Sequence, residues 1–166
     1  MPQAWQTDIA ESISTTPAAG QPAEAVHDLR AGVTAEVDIA PGLLICPGTA
    51  DAQAKLPTSA AEVLRALGVA VLMPLKSEDS VSFRASLKEA VLYLEKGEIW
   101  VAVEGAVTRG SQPFVRFATG TGGSQKGAFR ADGDTSTAGV LPGCRFMSST
   151  AGAGFAKVRL NLPATG

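Results

Sequence analysis

A single histidine, His27, is all that this 166-residue chain offers for imidazole chemistry. Any Ser/His/Asp or Cys/His relay would have to use it. It lies in a polar, proline-punctuated segment, a poor platform for a rigid site, and reads as a solvated side chain. The two cysteines, Cys46 and Cys144, are too few to close a structural zinc site, and histidine partners are lacking. Each sits in an apolar, strand-like context, GLLICPG and LPGCRFM, where a buried free thiol is the expectation. A disulfide between them stays open, because sequence does not give their separation.

Charge is scarce as well. Only 18% of the residues are charged, and fourteen basic against sixteen acidic residues leave a formal net charge of −2. No basic block exceeds two residues, so a footprint for a phosphate backbone is missing and nucleic acid is not an expected partner. No uninterrupted apolar run reaches the length of about eighteen residues that a membrane span needs. The opening MPQAWQTDIAES lacks the basic start and apolar run of a secretion signal. With 45% hydrophobic residues the chain has the material for a core, and a surface this neutral favours burial against other polypeptides.

What is abundant is glycine, proline and short β-prone stretches. Residues 1–30 are polar, small and without period, so they read as an extended or flexible N-terminal arm that orders on a neighbour, or as a plain tail. Residues 31–162 form a β-rich domain, and 163–166 a frayed end. In GVTAEVDIA the residues Val33, Ala35, Val37 and Ile39 alternate onto one face. PGLLICPG is a short apolar strand between turns, and ALGVAVLMPL a buried one. TADAQAKLPTSAAEVL has little strand character and reads as a surface excursion with one helical turn at 59–66. Residues 84–96 have helical propensity, but Gly97 between AVLYL and IWVAVEG favours a β-hairpin. PFVRFAT, VLPGCRFMSS and FAKVRLNL add strands. Seven or eight short strands predict an all-β barrel or sandwich.

The stretch TGTGGSQKGAFRADGD, residues 119–134, tests for nucleotide chemistry and fails. A phosphate loop requires G-x-x-x-x-G-K-[ST] leading into a helix. Five residues after Gly120 stands Gln125, Lys126 is followed by Gly127, and no amphipathic helix comes next. Residues 118–127 therefore read as a surface connection. Asp132 and Asp134 resemble half of a calcium loop, but the rest of the pattern is missing, and a turn is the reading. Glu95 and Glu98 would flank the hairpin tip without forming an acid/base pair. LPATG at the C-terminus matches a cell-wall sorting pentapeptide by chance or as an exposed end. No catalytic, cofactor or metal residues are predicted.

Two tryptophans remain. Trp100 lies in a β-prone run, where core or barrel-wall packing is expected. Trp5 stands in the arm and is either incidental or an anchor for a partner's pocket. With Ile9 and Ile13 it makes up the candidate partner-binding set.

The block PGLLICPGTADAQAKLPTSAAEVLRALGVAV resembles the first half of the tailed-phage capsid cement, or decoration, protein family. GEIWVAVEGAVTRGSQPFVRF, then GAFRADGD, LPGCRF and AKVRLNL, resemble its second half in order and spacing. The resemblance covers about residues 30–162 and is weakest at SVSFRASLKE. It implies a non-enzymatic virion protein on the outside of an icosahedral head, made in the host bacterial cytoplasm. Its partners would be the phage major capsid protein and itself, as homodimer or homotrimer. Another β-rich phage part, a head-tail joining or tail-tube component, is the alternative.

Overall fold

The computed structural model describes residues 17–23, 28–72, 89–120 and 125–163. Ten strands, joined in one hydrogen-bonded network, and a single helical turn make up the described chain. The first half holds β1 (Asp28–Ala35), β2 (Leu44–Pro47), β3 (Gln53–Lys55), α1 (Ala60–Val63) and β4 (Gly68–Ala70). The second half holds β5 (Ala90–Val103), β6 (Phe114–Arg116), β7 (Phe129–Arg130), β8 (Ala138–Val140), β9 (Arg145–Phe146) and β10 (Gly154–Asn161). The all-β expectation holds, with more strands than the sequence marked and one far longer.

Five strands close on themselves. β1 pairs with β3 in parallel, β3 with β2, β2 with β4, β4 with β5, and β5 returns to β1, all antiparallel after the first. The ring explains the apolar run in β2. Leu44 and Ile45 are both fully buried, and period two sends them to different cores. Ile45 joins Ala35, Ala54, Ala70 and Val91, one residue from each strand of the ring, so this small cluster is the barrel lining. Leu44 joins the larger cluster with Phe129, Phe146, Ile99 and Val158 on the other side of the wall. Each such side chain contributes about 1.5–3 kcal/mol of burial.

The 14-residue β5 links barrel and remainder. Both of its edges are occupied: Leu94 faces Leu29 and Val69, and Ile99 faces Val158 and Pro22. β10 runs along residues 96–103, β9 adds to β10, and β7 pairs in parallel at Val103 before leading to β6 and β8. The hairpin expected around Gly97 is therefore corrected. Residues 90–95 and 98–103 pair with other strands, not with each other. Gly97 has φ +126 and acts as a bulge. Before it, even-numbered Leu92 and Leu94 face the large core; after it, odd-numbered Ile99, Val101 and Val103 do. A glycine between two β-prone runs signals bulge as readily as turn. The helical alternative for 84–96 also fails over 90–96, and 84–88 lie outside the described residues.

Three smaller expectations change. Gln53–Lys55, read as excursion, is β3, with Ala54 fully buried. Its partners on both sides supply the strand geometry that its own small and polar residues do not encode. Val37 is exposed, because β1 ends at Ala35 and the chain bends before Ile39 returns to the core. VLPGCRFMSS splits into β8 and β9 around a turn at Pro142 and Gly143. The helical turn at 59–66 is present as α1. Ser59 caps it, its hydroxyl accepting from the Glu62 amide, and the Glu62 carboxylate accepts from the Thr58 amide at 2.6 Å. Of the N-terminal segment, residues 17–23 lie along β5: Gly20 donates to the Trp100 carbonyl, Ala23 to that of Glu98, and the Trp100 amide to that of Gln21.

Candidate functional site

Among the described residues, the most elaborate polar group forms where β5, β6, β7 and the turn before β8 meet. Arg116, at the end of β6, points away from Val115 and is only 4% exposed. Its guanidinium donates to both Glu104 carboxylate oxygens, with Nε at 2.7 and 2.9 Å and Nη2 at 2.8 Å. Nη2 also reaches Asp134 Oδ2 at 2.7 Å, and Nη1 reaches the Thr137 hydroxyl at 3.1 Å. Arg130 of β7 sits beside it and bridges Glu104 at 3.1 Å, Asp134 at 2.8 Å and Asp132 at 2.9 Å. These groups line a cleft of about 590 Å3 that also meets Leu43, Ala128 and Ala153.

The purpose of this density of charge is visible in the backbone it holds. Asp134, Thr135 and Ser136 have φ of +41, +53 and +70, three consecutive non-glycine residues in the left-handed region. Such a run costs roughly 1–2 kcal/mol per residue. It is held by the Thr137 and Ala138 amides, both donating to the Gly133 carbonyl at 3.1 Å, and by the Thr137 hydroxyl on the Asp134 carbonyl at 2.7 Å. Hydrogen bonds from Arg116 and Thr137 keep the Asp134 carboxyl below its usual range, and the contact with Glu104 raises the Arg116 pKa. The Asp132–Asp134 turn is thus a turn, as the sequence indicated, and its carboxylates face guanidinium groups. The arrangement is a brace: every charge named here is answered by another within it.

The glycine stretch at 119–134 ends in a packed segment. Gly127 is buried, with φ +83, and a Cβ there would stand 2.8 Å from the Leu44 carbonyl oxygen. Its amide donates to the Arg116 carbonyl and its carbonyl accepts from Leu44. The end of the 118–127 segment is therefore packed into the wall of the barrel, which corrects its reading as surface throughout. Residues 121–124 lie outside the described residues.

Other candidates are dispersed. Glu95 and Glu98 lie within β5 and flank no tip: Glu95 accepts from Arg30 at 3.0 Å, and Glu98 from Arg159, with Lys157 at 3.6 Å. Both are nearly buried. Cys46 and Cys144 are free, buried thiols. Burial, with the Glu62 charge nearby, pushes the Cys46 thiol up to about 12, and burial also raises Cys144, so neither is poised as a thiolate. Trp100 packs on the outer side of the barrel-to-β10 sheet, with the Lys157 ammonium 5.9 Å from its ring centre. His27 and the candidate partner-binding residues Trp5, Ile9 and Ile13 lie outside the described residues, as do residues 164–166 of the LPATG end.

Sequence reasoning missed the Arg116 brace. Its contacts from Glu104 to Arg116 and Arg130, and from Arg116 to Asp134, span 12 to 26 residues and join across strands that local pattern does not pair. The one available signal was arginine at an interior strand position in both PFVRFAT and GAFRADGD, the second followed by two aspartates.

Comparison with known proteins now adds to the geometry. In solved structures, a chain from the capsid of Myoviridae phage XM1 has the same fold, with a TM-score of 0.70 over 88% of this chain and 91% of that one. Identity is 16%, so the likeness is one of architecture. No curated protein matches. A family model described as structural cement protein (E217 gp24/Pam3 gp6) matches residues 6–161, reaching further toward the N-terminus than the sequence blocks quoted above. With nearly its whole length covered, the chain belongs to the phage structural cement protein family.

Proposed function

We propose that this protein is a capsid cement: a virion protein that binds the outer surface of an icosahedral phage head and ties neighbouring major capsid protein subunits together. The observation that carries the reading is the family match over residues 6–161. The fold is consistent with it. A five-strand barrel extended by β10, β9 and β6–β8 offers broad sheet faces, and its main polar cluster braces a turn. Modest affinity at each contact becomes effectively permanent when many copies act on one shell.

Several finer points belong to the same proposal. The protein acts without catalysis, cofactor or metal, and neither nucleic acid nor membrane is a partner. It is made in the host bacterial cytoplasm and works as a homodimer or homotrimer. Residues 1–30 serve as an arm, 31–162 as the cement domain and 163–166 as a loose end. Within the arm Trp5, Ile9 and Ile13 enter a neighbour's apolar pocket, which would add contact area without a larger domain.

The test adds purified protein to expanded shells that lack it. Saturation at a fixed ratio to the major capsid protein, with a higher shell disruption temperature, is the expected result. Rings or tubes formed by the protein alone, with no shell binding, would overturn the reading in favour of a tail or joining component. Deleting residues 1–16 should weaken shell binding while the melting transition of the domain persists; unchanged binding would remove Trp5, Ile9 and Ile13 from the contact.

A further inference from the structure

The sheet formed by β5, β10 and β9 has one face in the core and one face out. Ile99, Val101, Ala156 and Val158 fill the inner face. The ladder register puts Ala102 opposite Phe155, Trp100 opposite Lys157 and Glu98 opposite Arg159 on the outer one, with Arg145 of β9 beside Arg159. Phe155 is 41% exposed, unusual for an aromatic side chain, and Trp100 is half-buried next to it. Among the described residues, three cations, Arg145, Lys157 and Arg159, share this outer face with a single carboxylate, Glu98, which is itself buried beneath two of them. At the far end of the ladder Lys96 stands opposite Asp28. A chain of formal charge −2 thus turns one positively charged, aromatic-bearing sheet face to solvent.

We propose that this face is the docking surface for an acidic segment of the major capsid protein, with an apolar anchor set against Phe155 and Trp100. The inference rests on the cement reading and names the surface that reading leaves open. Charge complementarity selects the occupant. The Arg145 and Arg159 side chains are exposed, that of Arg159 57% so while its guanidinium also donates to Glu98, and the remaining guanidinium donors match carboxylates in directed contacts. An exposed aromatic beside them supplies the desolvated centre that interfaces concentrate around Trp, Phe and Arg. Glu98 holds Lys157 and Arg159 in place from below, so the cations are pre-positioned and lose less freedom on binding.

The experiment uses the full-length protein and expanded shells of the phage that encodes it. Arg145→Glu and Phe155→Ser are the test variants, since both side chains are exposed and can change without opening the core. Arg65→Glu, on the exposed residue after α1, is the control. Shell affinity is expected to fall about tenfold or more for Arg145→Glu and for Phe155→Ser, each step of 1.4 kcal/mol being tenfold. Wild-type affinity should drop with added salt, and the Arg65→Glu protein should bind within about twofold of wild type. Folding is checked by circular dichroism, and Arg145→Gln provides a milder third variant if either test protein melts early. Binding within twofold of wild type by both folded test variants would overturn the assignment while leaving the cement reading intact. Failure of the wild-type protein to bind shells would end both. A change in oligomeric state with shell affinity preserved would assign the face to a second copy and overturn the capsid partner.

Discussion

Two groups of arginines in this protein have opposite fates. Arg116 and Arg130 are turned inward, each facing two or three carboxylates, and the charge they carry is consumed within the chain. Arg145 and Arg159 lie on the outer face of the β9–β10 ladder, where Glu98 serves Lys157 and Arg159 and both arginine side chains are exposed. The residue type is the same. What differs is burial and the number of acids within reach. A saturated, buried network fixes conformation, here a left-handed turn that would otherwise relax. An unsaturated, exposed one adds little to folding and is left available for contact. The comparison predicts that substitutions in the first group change stability, and in the second, association.

The largest effect should come from breaking the brace at its centre. Arg116→Met removes the buried cation and leaves Glu104 and Asp134 with Arg130 as their shared cation, at a cost of about 3 kcal/mol. Denaturant unfolding measures it directly, and a loss below about 1 kcal/mol would mean the network is as weak as a surface pair. Next comes Gly127→Ala, next to the brace in space. The left-handed backbone and the nearby Leu44 carbonyl together predict a loss of about 2 kcal/mol. Gly154→Ala at the start of β10, where a Cβ meets nothing within 4 Å, should stay within about 0.5 kcal/mol. Equal melting temperatures for the two glycine variants would deny the packing assigned to Gly127.

How much of this could be read beforehand divides along the same line. Alternation and turn glycines marked β2, β4, β6 and β10, and the run at 59–66 was read as a helical turn, because those signals are local. The Arg116 brace was invisible because its partners arrive from Glu104 and Asp134 by strand pairing. Gly97 was misjudged because a bulge and a tight turn ask the same backbone freedom of the residue; only its neighbours' partners tell them apart. Gln53–Lys55 gave no strand signal because its conformation comes from β1 and β2 on either side. The outward row of β10 was written plainly in FAKVRLN, yet the alternation does not say which face is the core until Val158 and Ile99 are seen to meet.

Acid should act on the brace. The Asp134 carboxyl is held below its usual range by the Arg116 and Thr137 hydrogen bonds, so its folded-state pKa lies under its unfolded one. The linked stability is therefore present above the unfolded aspartate pKa and is lost as pH falls through the folded value. Glu36 and Glu62, lowered by Thr49 and Lys55 respectively, carry the same sign. The Asp134→Asn protein separates the contributions. It should be less stable than wild type near neutrality, and the gap should narrow as pH drops below the ordinary aspartate range. A gap that stays constant with pH would show that Asp134 contributes by shape and not by charge.

The smallest effect on folding is expected where the effect on contact is greatest. Among the described residues, Arg145 donates to the Gly110 carbonyl, at 3.2 Å, from an exposed strand end. Reversing its charge removes one neutral acceptor's partner and brings a carboxylate toward Arg159, a nearby cation that can receive it. These changes nearly cancel, and Arg145→Glu should shift unfolding free energy by no more than about 0.5 kcal/mol. Matching denaturation curves with wild type, together with the loss of shell affinity described above, would place Arg145 wholly on the side of association. A stability loss approaching that of Arg116→Met would mean that the outer arginines also serve the fold, and the division between the two groups would no longer stand.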